Sequence, residues 1–394
     1  MTNILAINGG SSSIKFALFA AADVGQRGLH GKIERIGGQG TVLTATQAAG
    51  AAPTSEPLPK GDFSAAIDFL LQWLEHRGSL QTVVAVGHRV VHGLQHSAPE
   101  RITTALLAEL RGVIPYDPEH MPAEIRLMQA LLKRLPEVPQ TACFDTAFHR
   151  TMPRVARLLP IPRRYDAMGV QRYGFHGLSY AYLMERLAQL PDPAATQGRV
   201  ILAHLGNGAS LAAVRDGQSV DTTMGFTPAA GVPMSTRSGD LDPGLLSFLA
   251  AREHMTPARF ERMVNHESGL LGVSETSSDI RDLLSVEATD VRAAEALDLF
   301  CQETRKRIGA FAAVLGGLDT LVFSAGIGEN APQIRARICT NLEFLGLHLD
   351  AARNDANQPV ISAAASQVTV RVIPTDEELM IAQIAQRAAS DYTH

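Results

Sequence analysis

The stretch NILAINGGSSSIKFALFA, residues 3–20, places two apolar runs on either side of a cluster of Asn, Gly and Ser. The runs predict two buried strands and the cluster predicts the turn between them. A plain hairpin needs two to five turn residues and no cation at its exit, whereas here Lys15 follows the serines. Small residues followed by a cation predict a turn where an anion such as phosphate can approach the backbone.

A second stretch, LAHLGNGASLAAV at residues 202–214, has the same order of strand, Gly-rich turn and strand about half a chain later. We interpret the pair as a duplicated domain with two phosphate-facing hairpins. The alternative is a chance similarity between two glycine-containing hairpins.

Strand and helix patterns alternate along the whole chain, which predicts α/β domains with largely buried sheets. Strand-like runs include TVVAVGHRVV, QTACF, DTLVFSA and VTVRVIP. Helical patterns include AAIDFLLQWLEH, MPAEIRLMQALLKRL, GLSYAYLMERLAQL, the long run at 291–318 and PQIRARICTNLEFLG at 332–346. The segments TQAAGAAPTSEPLPKGD and LPDPAATQG read as exposed loops.

Composition limits the kinds of partner. The 394 residues are 45% hydrophobic and 19% charged, with a formal net charge of −5, which is typical of a soluble globular protein of two or three domains. A nucleic-acid or membrane partner has little electrostatic support, and no membrane span or secretory signal is expected. Three cysteines without a CxxC pair predict neither disulfides nor structural zinc and favour the cytoplasm.

A third Gly-rich turn, SAGIGEN at 324–330, leads from a strand towards a helix expected to begin near Pro332. No GxxxxGK[ST] motif is present. Successive backbone N–H groups at such turns can converge on phosphate, so three of them predict a nucleotide site. The alternative is that they are ordinary turns of an α/β protein.

Several charged side chains stand where site residues are expected. Arg89 interrupts the strand-like run VGHRVVHG and must be paired or functional, as a structural salt bridge or as a fork for a carboxylate or phosphate. Asp145 follows the strand-like run QTACF, at the position where α/β sheets place site residues. His176 follows Phe175, and Arg237 lies in a loop with aspartates, where local ion pairing is the simpler interpretation.

The segment IPTDEELMIA ends a strand and begins the last helix. Thr375 and Glu378 match a capping box, which would give these side chains a purely structural role. Alternatively Glu377 holds a metal ion, with Asn8 and Asp145 adding oxygen ligands of the kind that Mg²⁺ prefers.

Taken together, these stretches resemble the acetokinase family nearly end to end. The segments that match it in order and spacing are NGGSSSIKF, GHRVVHG, FDTAFH, RYGFHG, HLGNGAS, MGFTP, TRSGDLDP, SGLLGVSETSSDIRD, FSAGIGEN and IPTDEELMIA. The resemblance implies two duplicated ribonuclease-H-like domains of the actin, hexokinase and Hsp70 type, with the active site in a cleft between them. It implies an amino-terminal domain of residues 1–148 plus 380–394, closed by the last helix, and a nucleotide-binding domain of residues 149–379.

The resemblance also implies roles for individual residues. Asn8 and Glu377 would hold the metal, and Asp145, His176 and Arg237 would be catalytic. Arg89 would bind the acid's carboxylate, and Val91, Phe175 and Pro228 would form the apolar wall around its methyl group. The nucleotide would be bound by residues from the glycine turns and one further loop, namely Ser11, Ser13, Lys15, His204, Leu205, Gly206, Asn207, Gly208, Asp279, Ile280, Arg281, Gly326, Ile327, Gly328, Glu329 and Asn330.

The implied reaction is the reversible transfer of the γ-phosphate of ATP to acetate, with Mg²⁺ (Mn²⁺ as an alternative), in a cytoplasmic homodimer. Because acetate is already ionised at pH 7, we expect Asp145 to orient the metal, its waters or an arginine rather than to remove a proton. In-line transfer then needs no phosphoenzyme.

Some positions depart from the family pattern: Gln95, Tyr116, Asp117, Tyr180 and Ser235. A bulky Tyr116 in the acid pocket would favour acetate, whereas a Tyr116 turned away would let propionate compete. Three alternatives stay open: a propionate or butyrate kinase, an actin-like or Hsp70-like ATPase, and a catalytically weakened homologue. The two arginines expected to face a small acid disfavour the ATPase.

Overall fold

The computed structural model describes residues 2–10, 12–48 and 50–391. The strands in this part of the chain are β1 (Asn3–Gly9), β2 (Ile14–Ala20), β3 (Asp23–Glu34), β4 (Val42–Thr46), β5 (Thr54–Pro57), β6 (Val83–Val90), β7 (Glu100–Arg101), β8 (Gln140–Phe144), β9 (Arg199–Leu205), β10 (Ala209–Arg215), β11 (Gln218–Thr222), β12 (Thr320–Ser324) and β13 (Thr369–Val372).

The α-helices of the same residues are α1 (Phe63–His76), α2 (Thr104–Val113), α3 (Met121–Arg134), α4 (Arg154–Arg157), α5 (Arg163–Asp166), α6 (Gly177–Ala188), α7 (Ala194–Gln197), α8 (Gly244–Glu253), α9 (Pro257–His266), α10 (Gly269–Ser274), α11 (Ile280–Val286), α12 (Val291–Leu315), α13 (Ala325–Asn330), α14 (Pro332–Cys339), α15 (Ala351–Asp355) and α16 (Glu377–Asp391). Short 3₁₀ turns occur at Leu80–Thr82, Ile114–Tyr116, Ala147–Thr151 and Glu343–Leu345.

The described residues form two compact units. One runs up to Ala147 and resumes at Asp376, and the other spans Phe148–Thr375. This division differs from the sequence-based boundaries in placing 376–379 with the first unit and 148 with the second. The start of α16 is attached to the first unit by a hydrogen bond from Asn8 to Glu377 and by an ion pair between Arg27 and Asp376.

Each unit contains one sheet, and the two sheets share a topology. The first has the order β5-β4-β3-β2-β1-β6-β8-β7 and the second β11-β10-β9-β12-β13. In both, an antiparallel three-strand meander is followed by two strands parallel to its first strand. The α/β fold with two duplicated ribonuclease-H-like domains is therefore confirmed, and the quoted hairpins are β1–β2 and β9–β10.

The first unit packs helices against its sheet. An apolar cluster joins side chains of β1 and β2 with those of α1 and α3, including Leu5, Phe16, Leu70 and Leu127. Helix α16 lies against β1, β6 and β8. A Cβ at Gly87 would lie 2.5 Å from Cγ2 of Ile381, so glycine in β6 permits this close helix–strand approach.

The second unit has its own core. Tyr180, Leu183 and Leu187 of α6 pack against Leu202 of β9 and Val214 of β10, all essentially inaccessible to solvent. Each such apolar side chain contributes about 1.5–3 kcal/mol to folding. No helix in the described part of the chain is long and apolar enough to cross a membrane.

Some local predictions were wrong. The predicted loop at 46–62 contains the edge strand β5, and the loop at 190–198 contains the short helix α7. The helix expected over 332–346 ends at Cys339, because Thr340 leaves the helical region with ψ of 134° and Asn341 follows in a left-handed conformation with φ of 64°. The Gly-rich segment SAGIGEN is not an open turn, since Ala325–Asn330 is helical.

Candidate active site

Three parallel strands of the first unit end side by side and carry one row of polar residues. Asn8 lies near the end of β1, Arg89 near the end of β6, and Asp145 directly follows β8. The register pairs Ile7 with His88 and Arg89 with Cys143, so the three side chains fall at the same edge of the sheet. This is where open α/β sheets place their ligands.

Arg89 is held by hydrogen bonds from three of its five N–H groups. Nε and Nη2 donate to Oδ2 of Asp145 at 2.9 and 2.6 Å, and Nη1 donates to Oδ1 of Asn8 at 3.4 Å. Burial acts to lower the pKa of Arg89, but the carboxylates of Asp145 and Glu377 raise it above its ordinary value. The structural salt bridge considered for Arg89 is therefore present, with Asp145. The remaining N–H groups of Nη1 and Nη2 make no hydrogen bond to the described residues, so they are available to a carboxylate ligand.

Asn8 and Glu377, the two residues predicted to hold a metal ion, lie in direct contact. Nδ2 of Asn8 donates to Oε2 of Glu377 at 3.0 Å, and Glu377 begins α16. No group of three or more His, Cys, Asp or Glu side chains in the described residues could hold a metal ion. An amide and a carboxylate oxygen fit Mg²⁺, which keeps waters and binds substrate phosphates instead of filling a protein cage.

The predicted capping box at the start of α16 does not form. The backbone N–H of Leu379 donates to Oδ1 of Asp376 at 2.9 Å, so Asp376 is the capping residue. Thr375 instead contacts Oγ of Ser179 at 2.8 Å through its hydroxyl. Glu378 is half-buried, and the desolvation of its carboxyl group raises its pKa.

Glu124 was missed by the sequence reasoning. Its side chain on α3 is 2% exposed, and Oε2 accepts a hydrogen bond from the backbone N–H of Val91 at 2.9 Å. Oε1 has no hydrogen-bond partner among the described residues. Burial raises the pKa of Glu124 to about 8, so its carboxyl group is largely protonated at pH 7. This neutral group holds the backbone at Val91, between Arg89 and His92. The available signal was a glutamate on the apolar face of α3, between Met121 and Met128.

The second unit brings His176, His204 and Arg237 to the β9–β10 hairpin. The His176 and His204 rings stack with centroids 4.1 Å apart. His176 holds a left-handed backbone with φ of 59° just before α6, a conformation that is uncommon outside glycine and concentrated at functional sites. A Cβ at Gly208 would lie 3.2 Å from Nε2 of His176 and 3.4 Å from Nη1 of Arg237, so these nitrogens flank one small space.

A cavity of about 460 Å³ lies in the second unit, a size typical of small-molecule sites. Eight of its lining residues were predicted to bind nucleotide: Gly206, Asn207, Asp279, Ile280, Arg281, Gly326, Ile327 and Asn330. Ser235, Ser278 and Ala331 also line it and were not predicted. Ser235 was noted only as a departure from the family pattern, and Ser278 and Ala331 carried no distinguishing signal in the sequence.

The remaining predicted nucleotide residues do not line this cavity. Leu205 is fully buried, and Gly328 packs against the backbone of Phe323. Glu329 accepts a hydrogen bond from the backbone N–H of Thr375 at 3.1 Å.

The β1–β2 turn is tight. The backbone N–H of Gly10 donates to the carbonyl oxygen of Ser13 at 2.8 Å. Lys15 is exposed and pairs across the hairpin with Asn8. Ser11 lies outside the described residues.

The residues predicted to surround the acid's methyl group are divided between the units. Val91 is buried in the first unit, and Phe175 and Pro228 belong to the second, where the carbonyl oxygen of Pro228 accepts a hydrogen bond from Arg237 at 3.3 Å. Tyr116 packs its ring against His92, the neighbour of Val91, with centroids 5.7 Å apart.

Asp117 is buried, and its Oδ1 lies 2.9 Å from Nδ1 of His120. Although burial acts to raise the pKa of Asp117, the bonds from His120 hold it below its ordinary value.

Comparison with known proteins gives a consistent family. The model of the acetokinase family matches residues 3–383. The chain is 44% identical to a propionate kinase of Citrobacter rodentium over 98% of this chain and 96% of that one. It is 41% identical to an acetate kinase of Oceanobacillus iheyensis, over 97% and 98%. The crystal structure of Porphyromonas gingivalis acetate kinase superimposes with a TM-score of 0.89 at 37% identity, covering 98% of this chain and 99% of that one.

Proposed function

The chain belongs to the acetokinase family and is a carboxylate kinase, and from this premise we propose that it transfers the γ-phosphate of ATP to acetate, reversibly and with Mg²⁺. The observation that carries the proposal is Arg89. It is a guanidinium fixed by Asp145 and Asn8, with two N–H donors left for a ligand oxygen, at the carboxyl ends of three parallel strands. A planar fork of this kind matches a small carboxylate.

In the proposed reaction an acetate oxygen forms a bond to the γ-phosphorus while the bond to the β–γ bridging oxygen breaks, and its electron pair leaves with ADP. Acetate is ionised at pH 7, so no general base is needed. Asp145 accordingly acts by holding Arg89, one of the roles expected from the sequence. His176 and Arg237 bind oxygens of the transferring phosphoryl group, where positioning and charge provide most of the catalysis.

Asn8 and Glu377 are the residues that would hold Mg²⁺, and the ion would neutralise charge on the phosphate oxygens of ATP. The cavity lined by Asn207, Asp279 and Asn330 would take the nucleoside part of ATP.

The test of the central observation is Arg89→Ala, with acyl phosphate trapped as the hydroxamate. We expect the KM for acetate to rise at least tenfold and the KM for ATP to stay within about twofold, because only the carboxylate fork is lost. Arg134→Ala is a matched control, since this exposed arginine of the same unit pairs with Glu75 at the surface. An unchanged KM for acetate in Arg89→Ala would contradict the proposal.

Propionate is a second candidate substrate, because proteins named propionate kinase are as similar to the chain as those named acetate kinase. We favour acetate because the Tyr116 ring lies against His92, next to the expected wall residue Val91, and a bulky neighbour narrows that wall. Tyr116→Leu should then raise kcat/KM for propionate relative to acetate by about 10-fold, the effect of one methylene in an apolar pocket. No change in the ratio would remove Tyr116 from the argument.

A homodimer and a cytoplasmic location belong to the same proposal and rest on the family resemblance. Light scattering of the purified protein should give twice the mass of the chain. Cell fractionation should recover the activity with the cytoplasm.

A further inference from the structure

The two stacked imidazoles of the second unit are each held by a hydroxyl. Nδ1 of His176 lies 2.9 Å from Oγ of Ser210, and Nδ1 of His204 lies 2.8 Å from Oγ of Ser179. Two imidazolium cations with ring centroids 4.1 Å apart would repel each other strongly. When the His176 ring is neutral, the position of its single proton decides what each of its two nitrogens can do.

Ser210 has a second partner that fixes this position. The hydroxyl of Tyr180 lies 2.5 Å from Oγ of Ser210, and Tyr180 is fully buried. A phenol is a much stronger acid than an alcohol, so Tyr180 donates to Oγ and the serine O–H donates onward to Nδ1 of His176. A chain of hydrogen bonds in one direction is cooperative, and here it ends on an imidazole nitrogen that must accept.

The tautomer of His176 decides which atom faces the small space beside Gly208. With Nδ1 accepting, His176 carries its proton on Nε2, the nitrogen that lies 3.2 Å from a Cβ position at Gly208. Nη1 of Arg237 faces the same position at 3.4 Å. The opposite tautomer would place an imidazole lone pair towards this space, where it would repel an anionic phosphoryl oxygen.

We propose that Tyr180 is a positioning residue that acts through Ser210 to hold His176 as the Nε2–H tautomer. The inference rests on the proposed function in one respect, namely that the donor faces a phosphoryl group. A merely structural tyrosine is the competing explanation, because its ring also packs against Phe148 and His149. Tyr180→Phe separates the two, since it keeps the ring and removes only the hydroxyl.

The experiment uses three variants, namely Tyr180→Phe, Ser210→Ala and the double variant that combines these two substitutions. Tyr173→Phe is the control. Tyr173 is a matched control because it is 5% exposed and its hydroxyl donates to the carbonyl oxygen of Gly169 at 2.6 Å. The first readout is the tautomer of His176, measured from ¹⁵N shifts of labelled histidine and assigned with His176→Gln. The second is kcat for acyl phosphate formation.

In the wild type and in Tyr173→Phe we expect His176 to be the Nε2–H tautomer. In Tyr180→Phe a substantial fraction should carry the proton on Nδ1, and kcat should fall about 10-fold with the KM for ATP within twofold. Ser210→Ala should lower kcat further than Tyr180→Phe does. The double variant should have the same kcat as Ser210→Ala, because Tyr180 acts only through that serine.

Two results would overturn the inference: an unchanged tautomer in Tyr180→Phe, or losses in kcat that simply multiply in the double variant. If the wild type forms no acyl phosphate, the proposed function fails while the tautomer measurement still decides the role of Tyr180.

Discussion

Gly208→Ala tests the geometry beside His176 and Arg237 with a single methyl group. The new Cβ would lie 3.2 Å from Nε2 of His176 and 3.4 Å from Nη1 of Arg237, so it would occupy the space assigned to a phosphoryl oxygen. Removing one donor that stabilises transition-state charge costs about 10²–10³ in kcat, or about 2.7–4 kcal/mol. We expect a loss in this range. The contacts are with side-chain ends, and the backbone of Gly208 is not left-handed, so stability should change by less than about 1 kcal/mol.

The assay is kcat for acyl phosphate formation, with thermal unfolding of the same samples. Gly309→Ala is the control, because a Cβ there, in α12, has nothing within 4 Å. It should leave kcat unchanged. A Gly208→Ala enzyme with near wild-type kcat and stability would refute the assignment of this space to the reacting phosphate.

Three further predictions concern buried polar groups. Between about pH 5 and pH 8 the unfolded carboxyl of Glu124 ionises while the folded one keeps its proton. As the pH rises through this range, the free energy of unfolding of the wild type should therefore fall, relative to that of Glu124→Gln, by up to about 1.4 kcal/mol per pH unit. A difference between the two free energies that does not change with pH would contradict this. Asp145→Asn should raise the KM for acetate by up to about 100-fold through its bonds to Arg89, yet leave the shape of the pH profile of kcat unchanged. If Asp145→Asn removed the acidic limb of the pH profile of kcat, Asp145 would instead act as a general base. Arg335→Met should cost about 3 kcal/mol or more and raise the KM for ATP, because the fully buried Arg335 binds the carbonyl oxygens of Gly328 and Glu329; unchanged melting would count against this.

The sequence predicted the elements whose hydrophobic pattern reflects their burial. Strands β1 and β6 are nearly continuous apolar runs because they lie inside a sheet. The helical run predicted over 291–318 extends too far, because α12 ends at Leu315 and Gly316 caps it in the left-handed conformation that glycine favours. Strand β5 was missed because its residues, TSEP, are all exposed on a sheet edge, where proline and polar side chains are tolerated.

The sequence predicts which polar side chains lie together where their position along a strand carries the information. Asn8, Arg89 and Asp145 stand at the ends of strands, so topology alone predicts that they meet. The roles of Glu124 and Tyr180 depend on residues that are distant in sequence. Glu124 contacts Val91, and Tyr180 contacts Ser210. On their own helices both look like ordinary core positions, which is why the pattern could not reveal their chemistry.

A hydroxamate assay of acyl phosphate formation is the most direct test of the proposed reaction. It is run with ATP and Mg²⁺ over full concentration ranges of acetate, propionate and butyrate. The account predicts product from the short acids and the highest kcat/KM on acetate. A preference for propionate or butyrate would keep the carboxylate kinase and correct the substrate. No product from any acid by a protein that still binds ATP would contradict the proposed reaction and return attention to the departures at Gln95, Asp117 and Tyr180.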